Sequence, residues 1–176
     1  MTFVGHSLVG ASLAQASIPA EASWTQSLRI VNCYVLLAFL PDLPFPGWGH
    51  ARYYFSHSLA VNLTLMLPLA AIPLFRKSWR SRTGWQLIAW GMLAWLSHFP
   101  LDAVYNHGRG VAIFWPFSKG VLNLPLPWFE TLQWAQPLTS PHNLRVFGVE
   151  ALFGVPLCLA AWLLRRFWRH RQATAP

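Results

Sequence analysis

The chain has 176 residues, of which 55% are hydrophobic and only 10% charged. A soluble domain carries roughly 25% charged residues, so an ordinary cytosolic enzyme and a disordered chain are both excluded. Thirteen Lys and Arg against five Asp and Glu give a net charge of +8. The basic residues flank apolar runs, which fits membrane orientation better than nucleic-acid binding, so no nucleic-acid partner is expected.

Five apolar segments follow in chain order. Residues 2–18 form a weak one, diluted by Gly, Ser and Gln. Residues 28–40 are strongly apolar and stop at Pro41-Asp42, residues 58–75 contain Pro68 and Pro73, and residues 84–97 run into His98-Phe99-Pro100. Residues 146–164 precede Arg165-Arg166-Phe167-Trp168-Arg169. A spanning helix needs about 20 apolar residues. The third and fifth segments meet that length, and the second and fourth do so only with their flanks. Segments 28–40 and 146–164 leave almost no polar face, which argues against a soluble bundle. The expected fold is all-α: a polytopic membrane bundle of four to five helices with a long extracytoplasmic loop. Residues 1–168 form one membrane-embedded domain, and residues 169–176 a short polar tail. Cys33 and Cys158 lie inside apolar runs and read as small buried hydrophobes rather than a disulfide or zinc pair. Ala20-Glu21-Ala22 loosely resembles a leader cleavage site, but no Lys or Arg precedes Arg29, so cleavage is not expected.

Alternation through a membrane puts Arg29, Arg76, Lys77, Arg80, Arg82, Arg165, Arg166, Arg169 and Arg171 on one side. The positive-inside rule makes that side cytoplasmic. Trp79, Trp85 and Trp168 would lie at that interface. Trp48, Tyr53, Tyr54, Trp115, Trp128 and Trp134 would lie at the other. The basic tail from Arg165 suits anionic lipid without naming a function.

The same alternation puts His6, Asp42, His57, His98, Asp102 and His107 at the extracytoplasmic face. Imidazole and carboxylate are ligands for Zn²⁺ or a similar divalent ion. His98 and Asp102 are four apart, so a helix presents both on one face, although Pro100 between them suggests a kink or helix end. In a chain with five acids, this convergence points to a metal site.

Gly5-His6, Pro41-Asp42, Ser56-His57-Ser58-Leu59, Leu96-Ser97-His98 with Asp102, and Phe114-Trp115-Pro116-Phe117-Ser118 together resemble the YdjM-like family of inner-membrane, predicted metal-dependent hydrolases. The resemblance covers roughly residues 1–120. The order His, Asp, His, HxxxD is similar, more remotely, to the zinc-dependent phospholipase C and single-strand nuclease superfamily. These resemblances imply His6, Asp42, His57, His98, Asp102 and approximately His107 as ligands for one to three ions, zinc first. The chain departs from the family around His50-Ala51-Arg52, which lacks a glycine, and has no second HxxxD or HxxxE. His142 and Glu150 are candidates to fill in, although Glu150 could equally pair with Arg145 or a hydroxyl. The expected activity is metal-dependent hydrolysis of a phosphoester or lipid-linked substrate at the inner-membrane surface. Asp42 or Asp102 would bridge ions or take a proton from water, and Arg52, Arg109 and Lys119 would attract an anionic headgroup. The alternatives are a non-catalytic metal-binding or transport component and a structural membrane protein. A membrane metalloprotease is disfavoured because HExxH is absent.

Overall fold

A computed structural model of the chain describes residues 1–106, 110–124 and 126–174. The fold is mostly helical: α1 (Phe3–Ser17), α2 (Trp24–Phe39), α3 (Tyr53–Ser56), α4 (Leu59–Phe75), α5 (Arg82–Leu96), α6 (His98–Ala103) and α7 (Pro141–Thr174). Helix starts follow local chemistry. Thr2, Ser23, Ser58 and Ser81 cap α1, α2, α4 and α5 through their hydroxyls, and Ser23 and Gln26 complete a reciprocal capping box. The α2 helix gives way to a 3-10 turn at Leu40–Asp42, where Pro41 cannot continue the helical ladder.

The α1 helix is central and packs against α2, α5 and α7. Small residues allow the close approach. A Cβ on Gly10 would lie 2.7 Å from the Tyr34 carbonyl oxygen, and one on Gly154 would lie 2.6 Å from Leu8 Cβ. Ala14, Tyr34 and Ala94 form one core cluster, and the Tyr34 hydroxyl donates to the Leu87 carbonyl at 2.6 Å, tying α2 to α5. Phe99, Ala103 and Val111 form a second, under α6.

The helix lengths and the long loop refine the expected architecture. Of the four to five expected spans, α7 is the one helix among the described residues that is long and apolar enough to cross a membrane alone, over Pro141–Arg169, with mean hydropathy 1.9. The segment around α4 reaches that length only with Gly49–Ser56, from which it is bent by 93°. The other apolar helices have 15 or 16 residues, about 24 Å at 1.5 Å per residue. The long loop carries short regular pairings. Tyr105–Asn106 (β1) and Leu126–Glu130 (β2) pair in parallel, and Val111 bridges Leu122. Phe129 turns inward from β2 and packs by Tyr105, giving the ribbon an apolar anchor. One expectation is corrected: Cys33 is exposed and Cys158 half-buried rather than buried, because the apolar faces that carry them point outward. Leu36, Leu63, Leu67, Leu152 and Leu164 are exposed on the same outer surface.

Candidate metal centre

Helix ends deliver the polar residues to one end of the bundle. His6 lies in the first turn and a half of α1, Asp42 ends the 3-10 turn after α2, and His57 occupies the corner between α3 and α4. His98 and Asp102 belong to α6, which restarts directly after the Ser97 cap of α5. Pro100 falls in the first turn of α6, where a missing N–H removes no helical bond, so the predicted break lies before His98 rather than between the pair.

One ligand atom from each of His6, Asp42, His98 and Asp102 lies within 4.8 Å of all the others. His6 Nε2 is 3.1 Å from Asp102 Oδ1 and 3.9 Å from Asp42 Oδ2. His98 Nε2 is 3.3 Å from Asp102 Oδ2 and 3.8 Å from Asp42 Oδ1. His57 adjoins this group, with Nε2 3.2 Å from Asp42 Oδ1 and 3.3 Å from His98 Nε2. The three imidazoles are fully buried, while the Asp42 and Asp102 side chains are 7% and 11% exposed. The N-terminal ammonium also contacts Asp102.

Backbone acceptors fix two of the rings. His98 Nδ1 donates to the Ala38 carbonyl at 3.0 Å. His57 Nδ1 donates to the Tyr53 carbonyl at 3.2 Å and to Ser56 Oγ at 2.8 Å, since that hydroxyl itself donates to the Gly49 carbonyl. A carbonyl only accepts, so both rings carry hydrogen on Nδ1 and turn Nε2 to the cluster, as anchored metal-ligating histidines do. Gly49 has φ +58, and a Cβ there would sit 2.7 Å from the Leu43 carbonyl oxygen, so glycine lets this anchor approach the Asp42 turn. Among the described residues, His6 Nδ1 is buried without a hydrogen-bond partner.

The electrostatics favour the ionised carboxylates. Burial opposes charge on Asp42, but the hydrogen bond from His57 and the charge of His98 outweigh it and lower its pKa. Burial likewise opposes charge on Asp102, which is nonetheless held well below the usual range by the N-terminal ammonium, His98 and His6. His57 is raised. Burial works against its charged form, and its hydrogen bonds to Asp102 and Asp42 prevail. Two buried carboxylates facing three imidazoles form the oxygen and nitrogen donor set of a divalent-cation site, so the residues fit such an ion.

Not every expected residue is brought to the cluster by the described structure. His107 and Arg109 fall outside the described residues. Glu150 and His142 do not join the cluster. The Glu150 carboxylate accepts the backbone N–H of Thr2 at 2.7 Å and of Gly5 at 2.8 Å, together with the hydroxyls of Thr2 and Tyr105. It therefore caps the positive end of α1, beside His6. His142 donates to the Thr131 carbonyl at 3.0 Å, and Arg145 pairs with Glu130 at 3.3 Å, not with Glu150. Arg52 and Lys119 are exposed. His50, 67% exposed, stands 3.5 Å from Asp42 at the open edge.

Sequence reasoning did not find Asn62 and Trp95. Buried Asn62 donates to the Ser56 and Ser58 carbonyls at 2.7 and 2.8 Å and accepts from Trp95 Nε1 at 2.8 Å, fastening the His57 corner to α5. An amide inside the apolar run 58–75 was the available signal.

The YdjM inner membrane protein family model matches residues 1–173, well beyond the first 120 that carry the motifs. No curated protein and no solved structure matches the chain.

Proposed function

The chain belongs to the YdjM inner membrane protein family, and from that premise and the buried cluster we propose that it is an integral membrane metal-dependent hydrolase of phosphoester or lipid-linked substrates. The observation that carries this reading is the convergence of His6, Asp42, His98 and Asp102 within 4.8 Å. In it, α1, α2, α4, α5 and α7 are all embedded, the basic loop before α5 and the end of α7 face the cytoplasm, and the cluster lies at the extracytoplasmic face. His6, Asp42, His98 and Asp102 would hold the ion, and zinc suits this set best. A divalent cation bound there would supply Lewis acidity toward a phosphoryl oxygen and acidify a water. The Asp42 and Asp102 oxygens, the exposed edges of the cluster, would take the water's proton. His57 Nε2, against both carboxylates, would hold a proton for the leaving group.

The near-complete burial of the imidazoles favours a second reading, a metal-sequestering or transport component. Elemental analysis of the purified protein, followed by turnover of phosphomonoester and phosphodiester probes, separates the two. One to three equivalents of zinc with hydrolysis that disappears on chelation supports the hydrolase. Zinc without turnover supports sequestration or transport, and absence of specifically bound metal after reconstitution overturns both.

A further inference from the structure

The opposite end of the bundle carries a second polar feature. A cavity of about 520 Å³ opens between the C-terminal end of α1, the start of α5 and the last turns of α7. Its walls are apolar, including Ile18, Leu157, Ala161 and Leu164, and Arg165 and Arg169 stand among its lining residues. Arg165 is held in place. Its guanidinium donates to Gln15 Oε1 at 3.2 Å and to the Pro19 carbonyl at 3.5 Å, while its Nε is buried without a partner among the described residues. Neighbouring Arg166 is engaged elsewhere, stacked over Trp162 at 5.5 Å. Neither Arg165 nor Arg169 has a carboxylate within ion-pair distance among the described residues.

The surroundings are mostly of the same sign, with exposed Glu21, next to the lining Ala20, the exception. Arg76, Lys77 and Arg80 occupy the segment that enters α5, Arg82 opens that helix, and Arg80 donates to the Pro73 and Leu74 carbonyls at the end of α4. The cavity is remote from the metal cluster: Arg165 follows Glu150 by fifteen residues on one helix, ~22 Å at 1.5 Å per residue. An apolar chamber topped by two uncompensated guanidiniums complements a molecule with one anionic head and a hydrocarbon tail.

We propose that this cavity binds one anionic phospholipid, its phosphate on Arg165 and Arg169 and the start of an acyl chain against Leu157, Ala161 and Leu164. The site stands independently of the hydrolase reading, because its ligand lies at the far end of the bundle from the proposed reaction.

Native mass spectrometry of the full-length protein tests it, after release from bilayers of equal phosphatidylglycerol and phosphatidylcholine. The expected result is one retained phosphatidylglycerol per chain, preferred at least tenfold over phosphatidylcholine. Arg169→Gln removes a charge at an exposed position, and Ala161→Phe fills the chamber without touching charge. Each should lower retention at least fivefold while bound metal stays unchanged. Equal retention of the two lipids, full retention in both variants, or a cavity closed by a second copy of the chain with no lipid would overturn the proposal. Displacement of the lipid by millimolar inorganic phosphate would also overturn it, assigning the arginines to a free anion.

Discussion

The Ala38 carbonyl oxygen, in the last turn of α2, accepts a hydrogen bond from His98 Nδ1, 60 residues further along the chain. The bond turns a helix carbonyl that would otherwise lack a partner into the anchor of a cluster imidazole. His98 thereby enters the site with its Nε2 lone pair already facing the carboxylates, and little ordering remains to be done when an ion arrives.

Replacing a cluster residue should therefore remove metal without unfolding the bundle. His98→Ala and Asp102→Asn should each lose most bound ion by elemental mass spectrometry, with far-ultraviolet circular dichroism unchanged. His142→Ala, whose ring lies against Thr131 and Glu130, should keep wild-type content. Equal loss in all three variants would refute the assignment.

Glu150 should matter to the site without being a ligand. Its carboxylate holds the Thr2 and Gly5 amides at the start of α1. Glu150→Ala leaves those groups buried and unpaired, at a cost of about 3 kcal/mol. Chemical denaturation in detergent should show that loss. The folded variant should also bind metal at least tenfold more weakly, because His6 is one residue beyond Gly5. Unchanged affinity would confine Glu150 to stability.

The Asn62 bridge is separable from the donors. Asn62→Leu should destabilise by about 1–3 kcal/mol through the unpaired Trp95 indole and Ser56 carbonyl. Metal should bind more weakly because the His57 corner is no longer fastened to α5. Thermal melts with and without zinc would reveal a smaller ion-induced rise in Tm.

Protonation gives the metal-free protein a defined stability window. The pKa of Asp42 and Asp102 is lowered on folding, so their contribution is present above about pH 3.9 and fades as pH falls through the folded values. His57 is raised, so its contribution is complete below about pH 6.5 and is lost as pH climbs through the folded value. In chelator, Tm should fall between pH 6 and pH 9, and His57→Gln should flatten that alkaline limb. Metal affinity should run the other way and rise with pH, since ligand imidazoles must shed protons.

The sequence carried the site further than it carried the architecture. His6, Asp42, His57, His98 and Asp102 were legible because each polar residue interrupts or borders an apolar run, and alternating helix direction gathers such borders at one face. The bundle was less legible. Hydropathy reports what a segment can bury, not how long the resulting helix becomes, and α1, α2 and α5 stop at 15 or 16 residues. Glu150 stayed open between an ion and a hydroxyl partner, because a buried acid beside an apolar run looks alike either way; the hydroxyls of Thr2 and Tyr105 decide it. The β1–β2 pairing was invisible, resting on a short non-local contact around Phe129.

The Glu150 clasp on α1 bears on how the protein must be made. Every cluster donor is synthesised within the first 102 residues, yet the acid that seats the first of them arrives 48 residues after the last. A nascent chain paused after Asp102 holds all the donors while the start of α1 still lacks its acceptor. On the proposed metal reading, mature ion affinity would wait on delivery of the final helix, linking completion of membrane insertion to competence of the centre.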